Sequence, residues 1–308
     1  MSLSLIGITG IAALLGIIFF LGIPVGFAMA MVGFAGFAMV VNPQAALGML
    51  GEEVWGVFSS YGLTVIPMFI LMGQISFYAG VNKRLYHAAY VWMGRIRGGM
   101  AMATILSCAG FAAICGSNTA TTATMGTVAL PEMKKFRYHP VLSSASVASG
   151  ATLGVLIPPS VVLIVIGLQT GQSIGILFWA ALLPGFLLCL FFLLAIYWAC
   201  AKNPDLGPPG EAFGLSHKLK SLKGTIEILA LFVLIMTGLI KGFFTPTQAG
   251  AVGAFLALII GLAGRNLTWK TFYLALTDTL RISAMIMVII MGAVIFGRFL
   301  AVTRLPFD

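Results

Sequence analysis

The sequence predicts an all-α, polytopic membrane protein, and three observations carry that prediction. Its residues are 60% hydrophobic and only 8% charged, with a mean hydropathy of +1.08, whereas about a quarter of the residues in soluble domains are charged. Apolar blocks near the length needed to cross a bilayer, about 20 residues, recur along most of the 308 positions. Residues 1–308 therefore read as a single integral membrane domain rather than a soluble protein with an anchor. The basic residues that set the net charge of +9 gather between those blocks, where positive charge orients a chain against the cytoplasmic side. The charge is topological: the lipid bilayer is the implied partner, and nucleic acid is not. Residues 1–21 lack a basic leading region and continue the apolar pattern, so they read as a span and not as a secretory signal.

In chain order, helices are expected at about 3–21 and 24–41, separated by the Gly22-Ile23-Pro24 break. A short amphipathic piece near 51–62 carries Glu52 and Glu53, and another span follows at about 63–80. Residues 82–98 form a basic loop with Lys83, Arg84, Arg95 and Arg97, and 132–138 form a second with Lys134, Lys135 and Arg137. A long apolar segment at 139–170 and spans at 173–200, 222–240, 245–264 and 272–298 complete about eight crossings. Positive-inside counting places the two basic loops and the lysine-rich stretch 201–223 in the cytoplasm, with Glu52, Glu53 and the N-terminus outside. Arg298 and Arg304 fall outside, against the trend.

Between the first two basic loops lie 34 charge-free residues, Gly98–Pro131. One span needs about 20 residues and two need about 40 plus a turn, so the simplest solution is a re-entrant hairpin that turns near the midplane. Its centre, GSNTATTATMGT at 116–127, holds seven uncharged polar side chains, including Ser117, Asn118 and Thr119. Ser117 and Asn118 suit the cap of a returning helix at 119–131. The amides there favour an anion, and the carbonyls near Cys115 and Gly116 on the incoming arm favour a cation such as sodium. The alternative is a tightly packed helix pair that uses small residues for close approach.

A second break falls at Leu156-Ile157-Pro158-Pro159-Ser160. Two prolines remove two amide donors and disfavour helix for Ile157 and Pro158. The carbonyls of about Gly154–Ile157 lose their usual partners, while Ser160 can cap the following helix. Upstream, Ser143, Ser144, Ser146, Ser149 and Thr152 add a hydroxyl-rich face; a purely structural proline kink is the alternative.

None of the eight acids lies near the hairpin tip or the double-proline break. Proton-coupled carriers usually keep an intramembrane carboxylate or histidine in the pathway, so the pattern favours sodium as coupling ion and an anionic substrate. Glu227 and the Asp278/Arg281 pair sit near expected helix ends and read as interfacial. No catalytic pair or organic-cofactor motif is present, and the reading is of a non-enzyme. Cys108, Cys115, Cys189 and Cys200 match no common metal spacing and read as small apolar packing residues.

A shift of 219 residues lays 3–21 on 222–240 and FILMGQISF on VIIMGAVIF. The two copies would run oppositely through the membrane, a plan common in secondary transporters. The first repeat would cover 1–200 and an incomplete second one 222–308, with the partner of the hairpin beyond the last residue.

With those residues placed, the chain resembles the large, DctM-like permease subunit of tripartite ATP-independent periplasmic (TRAP) transporters. The resemblance runs through IPMFILMGQI (66–75), GRIRGGMAMA (94–103), GSNTA (116–120), LPEM (130–133), LGVLIPPS (153–160), SIGILFWAALLPG (173–185) and GFFTPTQAGAV (242–252). Ser117-Asn118-Thr119 also looks like the sodium-site motif of divalent-anion/sodium symporters.

The resemblance implies an elevator-type carrier of the ion-transporter superfamily in the bacterial inner membrane. Such a carrier is driven by sodium, fed by a periplasmic substrate-binding protein and completed by a small four-helix membrane subunit. Gly116, Ser117, Asn118 and Thr119 match its first hairpin tip, and Ile157, Pro158, Pro159 and Ser160 match the break packed against it; Ser149 and Gly154 are counted with them. Ser117 and Asn118 are the expected sodium ligands. The expected activity is uptake of a small organic acid such as a C4-dicarboxylate or sialic acid, the hairpin and broken helix moving against a scaffold of early spans. The family continues past the point where this chain ends, so half of its site is expected to be missing. A stand-alone sodium/dicarboxylate symporter and a non-transporting membrane scaffold are the alternatives.

Overall fold

The computed structural model describes residues 2–305, and the folded elements are helices. The chain divides into two compact units, one built from residues up to Leu63 together with those from Leu280 onward, the other from Thr64–Thr279. Seven stretches are long and apolar enough to span a membrane among the described residues, as expected of an all-α polytopic membrane protein.

In the first unit, α1 (Leu3–Gly16) is capped by Ser2 and runs on through a π turn to Leu21. Gly22 takes a left-handed conformation, φ 63°, and Pro24 starts α2 (Val25–Val40), so the chain reverses at the expected break. Asn42 caps α3 (Pro43–Phe58), its side chain accepting from the Ala45 amide at 2.7 Å with proline at the first helical position. The amphipathic piece expected at 51–62 thus starts eight residues earlier, because this cap-and-proline signal outweighs the two glutamates. The C-terminal part of the last helix packs on α2 so closely that a Cβ on Gly33 would lie 2.8 Å from Phe296 Cα. Arg298 pairs with Glu53. The basic residue that ran against the charge trend is therefore neutralised at the level of an acid expected on the same side.

A 3₁₀ turn, Tyr61–Thr64, ends at the first residue of the second unit, and α4 (Val65–Tyr78) follows. Residues 82–98, expected as a basic loop, are largely the helix α5 (Val81–Met93). Its apolar positions Val81, Tyr86, Ala88 and Val91 are buried while Lys83 and His87 are exposed, an amphipathic pattern that charge counting alone conceals. The hairpin follows as α6 (Gly99–Cys115) and α7 (Asn118–Lys135), the second arm running through Pro131 and four residues past the expected end. The long apolar segment is two helices, α8 (Pro140–Leu156) and α9 (Val161–Thr170), parted by Ile157–Ser160 as expected. Next come α10 (Ile174–Lys202), α11 (Leu215–Ile240), α12 (Pro246–Ala263) and α13 (Trp269–Val302), whose later residues belong to the first unit. The stretch 201–223 is only partly loop, since α11 begins at Leu215.

Thirteen of the 17 residues of α6 are buried, against one of 14 in α1. The incoming arm of the hairpin is thus sheathed by protein, the condition under which backbone can break at membrane depth. Met100, Ile105 and Cys108 of α6 share a core with Met125 of α7, Leu153 of α8 and Cys189 of α10. The hairpin base is fastened to its surroundings: the Tyr138 hydroxyl accepts from the Met100 amide (3.1 Å), and the Gly98 and His139 amides donate to Gly207 and Leu206 carbonyls. Burial pushes the Tyr138 phenol up to about 12, so it stays neutral at ordinary pH.

Two helix pairs can be set beside the 219-residue shift. Within the second unit α4 packs on α12, and within the first the C-terminal part of α13 packs on α2. Under the shift α2 lies on α12, and α4 on residues 284–297 of α13. The unit boundaries at Thr64 and Leu280 are themselves 216 residues apart.

Candidate functional site

The site is a crossing of four helix ends. Gly116 ends α6 with φ 58°, a left-handed conformation that glycine adopts without cost. A Cβ at Gly116 would collide with the Pro159 carbonyl oxygen. The Val161 amide donates to the Gly116 carbonyl at 3.2 Å, so the hairpin tip is hydrogen-bonded across to the start of α9. In return, a Cβ on Gly154 of α8 would sit 3.1 Å from the Ser117 carbonyl carbon and 3.2 Å from the Asn118 nitrogen. Each break therefore packs directly on the backbone of the other.

The caps follow from local chemistry. Ser117, extended at φ −130°, accepts from the Ala120 amide at 3.4 Å and lies 3.1 Å from the Thr119 hydroxyl. The returning helix starts at Asn118, so Ser117 alone is the cap and Asn118 the first helical residue. Ser160, fully buried, does the same for α9, accepting from the Leu163 amide at 3.5 Å. Two N-termini with their amides, and the last carbonyls of α6 and α8, meet within these contacts. The partial charges at such ends are opposite in sign, so amide donors and carbonyl acceptors lie close together at this crossing.

Gly116, Ser117, Asn118, Gly154, Pro159 and Ser160 come together here. Ile157 and Pro158 complete the buried break, while Thr119 is exposed beside the Ser117 hydroxyl. Ser149 stands more than a turn before Gly154 on α8, its carbonyl accepting from the Thr152 hydroxyl at 2.6 Å. The hydroxyl-rich faces are more modest than their composition suggests. Thr121 and Thr122 donate to the Ser117 and Asn118 carbonyls (2.7 and 2.9 Å), and Ser143 and Ser146 donate to carbonyls one turn back on α8. Gly116's carbonyl, expected to be free for a cation, is engaged by Val161.

Other residues shape the site that motif reading did not select. A Cβ on Gly73 of α4 would lie 2.8 Å from Cys115 Cα, and one on Gly150 of α8 would lie 2.8 Å from Cys108 Sγ. Cys108, Cys115 and Cys200 are each the partner of a glycine, which suits the packing role read for them. Gly73 had two signals in the sequence, its place within IPMFILMGQI and its alignment with Gly292 in the repeat.

Residues 12–308 match the family model described as the tripartite ATP-independent periplasmic transporter, DctM component. The sialic acid TRAP transporter large permease protein SiaM of Vibrio cholerae is 30% identical over 93% of this chain and 66% of its own length. The C4-dicarboxylate TRAP transporter large permease protein DctM of Pseudomonas aeruginosa is 34% identical over 83% of the chain and 60% of its own length. The isethionate TRAP transporter permease protein DctMQ of Oleidesulfovibrio alaskensis is 32% identical over 92% and 45% respectively. The chain thus spans between 45% and 66% of the length of these relatives. On this evidence the chain belongs to the DctM component family of tripartite ATP-independent periplasmic transporters.

Proposed function

We propose that this chain forms part of the passage for a small organic acid in a sodium-driven TRAP carrier, with the crossing of the hairpin tip and the double-proline break as the binding site. The observation that carries the reading is the reciprocal packing of Gly116 on Pro159 and Gly154 on Ser117 and Asn118, which brings two helix N-termini and two C-termini together, the one carboxylate of the α6–α9 segment being Glu132 at the far end of α7. The relatives are named for sialic acid, a C4-dicarboxylate and isethionate. All three are organic acids whose carboxylate or sulfonate suits the amides at capped helix starts.

Sodium is cargo here, held by oxygen alone. With the Gly116 carbonyl engaged, its ligands would come from the Ser117 hydroxyl, the Asn118 side chain and the remaining end carbonyls of α6 and α8. The anion would sit against the amides behind Ser117 and Ser160. Binding each charge favours binding the other, which is the thermodynamic basis of symport. The hairpin and broken helix would move as one body, as their interlocked backbones favour. We place the complex in the bacterial inner membrane with its N-terminus periplasmic, a small four-helix subunit beside it and a soluble binding protein delivering substrate.

The test is uptake into proteoliposomes holding the full-length permease, its small subunit and the binding protein. Ser117→Ala and Asn118→Ala should each lower sodium-dependent uptake at least tenfold and raise the sodium concentration giving half-maximal rate. Unchanged rate and sodium dependence in both variants overturn the site. Full uptake without the binding protein turns the reading toward a stand-alone symporter.

A further inference from the structure

Away from the crossing, α5 and α11 enclose two cavities in succession, and their chemistry changes abruptly from one to the next. The first, about 420 Å³, is basic: Lys83, Arg84 and His87 of α5 face His217, Lys220 and Ser221 of α11. The second, about 250 Å³, is apolar, with Leu85 of α5, Ala109 of α6, Phe186 of α10, and Leu229 and Phe232 of α11 among its walls. The sequence itself joins them, since Arg84 is followed by Leu85, and Gly224 at the foot of the basic cavity by Thr225 at the head of the apolar one. From Thr225 to Phe232 the groove follows α11 for about 10 Å at 1.5 Å per residue. Leu229 and Phe186 are largely exposed, so the groove opens on the outer surface of the protein.

We infer that this is a binding site for one anionic phospholipid, its phosphate held between Lys83 and Lys220 and an acyl chain laid in the groove against Leu229 and Phe232. Three features favour that occupant. Glu227 takes the Arg84 guanidinium at 3.1 Å, while among the described residues no ion pair holds Lys83 or Lys220, although Lys83 also borders a neighbouring cavity that carries Glu132 and Glu211. The Arg84 guanidinium, held by Glu227 through Nη1, lines the same cavity and adds a fixed positive charge beside the lysines. The first turns of α11 carry exposed Leu215 and Leu219 beside Lys218 and Lys220, the pattern of a helix resting at a membrane surface. A free phosphate would fill the basic cavity and leave the groove beneath it empty; a zwitterionic lipid would fill the groove and gain little from the lysines. Basic pockets between membrane helices are general binding places for anionic headgroups. The groove reaches Ile157 of the double-proline break, so an acyl chain there would touch the residue that ends α8.

The experiment is native mass spectrometry of the delipidated full-length protein, alone and with its small membrane subunit, titrated with dioleoyl phosphatidylglycerol or dioleoyl phosphatidylcholine. One phosphatidylglycerol should be retained at least tenfold more tightly than phosphatidylcholine. Lys83→Gln with Lys220→Gln should abolish that preference, each basic charge contributing roughly fivefold. Ala109→Leu, which fills the groove, should weaken phosphatidylglycerol while leaving the exposed lysines intact. Glycerol phosphate or inorganic phosphate in millimolar excess should not displace the lipid. Equal retention of the two lipids, an unaltered preference in the double lysine variant, full displacement by inorganic phosphate, or exclusion of lipid by the small subunit would each overturn the assignment.

Discussion

Two regions use glycine for the same purpose and reach opposite ends. In the first unit, Gly26 and Gly33 of α2 and Gly292 of α13 let two unbroken helices touch backbone to backbone, a Cβ on Gly26 meeting Val288 oxygen at 2.7 Å. In the second unit, Gly116 and Gly154 let two broken segments touch in the same way. The amides and carbonyls at the first contact belong to continuous helices, so closeness yields packing and nothing else. At the second contact the helices stop, and closeness gathers the ends of four of them. A stripe of small residues in a membrane chain therefore signals close approach. Only where it coincides with a break and a serine cap does it also bring helix ends of opposite partial charge together.

The largest expected effect separates the two contacts. Gly116→Ala meets both a left-handed backbone, φ 58°, and a collision with the Pro159 carbonyl. Together these should cost about 3 kcal/mol and abolish uptake. Gly33→Ala meets Phe296 Cα at 2.8 Å without unfavourable backbone angles. It gains helix propensity, so its net cost should be about 1 kcal/mol, with the sodium dependence of uptake intact. Thermal unfolding in detergent and proteoliposome uptake measure both. If Gly116→Ala proves no worse than Gly33→Ala, the two contacts are equivalent and the distinction fails.

A smaller effect sharpens it. Ser117 and Thr245 both cap helices, the latter with a full capping box to Gln248. Replacing either with alanine should cost about 1 kcal/mol of stability, because capping is the same chemistry in both places. Only Ser117→Ala should also weaken sodium dependence, whereas Thr245→Ala should leave it unchanged. Equal transport defects in the two variants would mean that capping alone explains Ser117.

Much of this was legible along the chain. The hairpin followed from a length that suits neither one span nor two, the broken helix from Pro158-Pro159 with Ser160 ready to cap, and the first reversal from Gly22 and Pro24. What escaped is what depends on partners or on competing local signals. The helix at 81–93 is marked by buried apolar positions between charges, and counting charge hid it. The start of α3 was encoded in Asn42-Pro43, yet the glutamates drew the expected element eight residues too late. The crossing itself was half visible. Both breaks could be found from residue types, but that Gly154 packs on Ser117 is a contact over 37 positions with no local trace. Gly73 was harder still, since a glycine amid apolar residues looks the same whether it meets lipid or the end of α6.

The smallest expected effect tests how far the site extends along α7. Composition suggests that its threonines form a continuous polar lining, but geometry divides them. Thr122 is exposed and its hydroxyl donates to the Asn118 carbonyl at 2.9 Å; Thr127 likewise donates to Thr124 at 2.8 Å. Such bonds to a helix's own carbonyls satisfy the hydroxyl in an apolar setting and slightly disfavour the helix. Thr122→Val keeps the shape and removes the hydroxyl, so stability should change by less than about 0.5 kcal/mol and uptake by less than twofold. Thr119→Val removes the neighbour of the Ser117 hydroxyl and should lower apparent sodium affinity severalfold. Because the two positions are less than one turn apart on the same helix, general damage to α7 would affect them alike. A tenfold loss of uptake in Thr122→Val with normal thermal stability would extend the site along the helix. The tip would then no longer be the boundary between packing and chemistry.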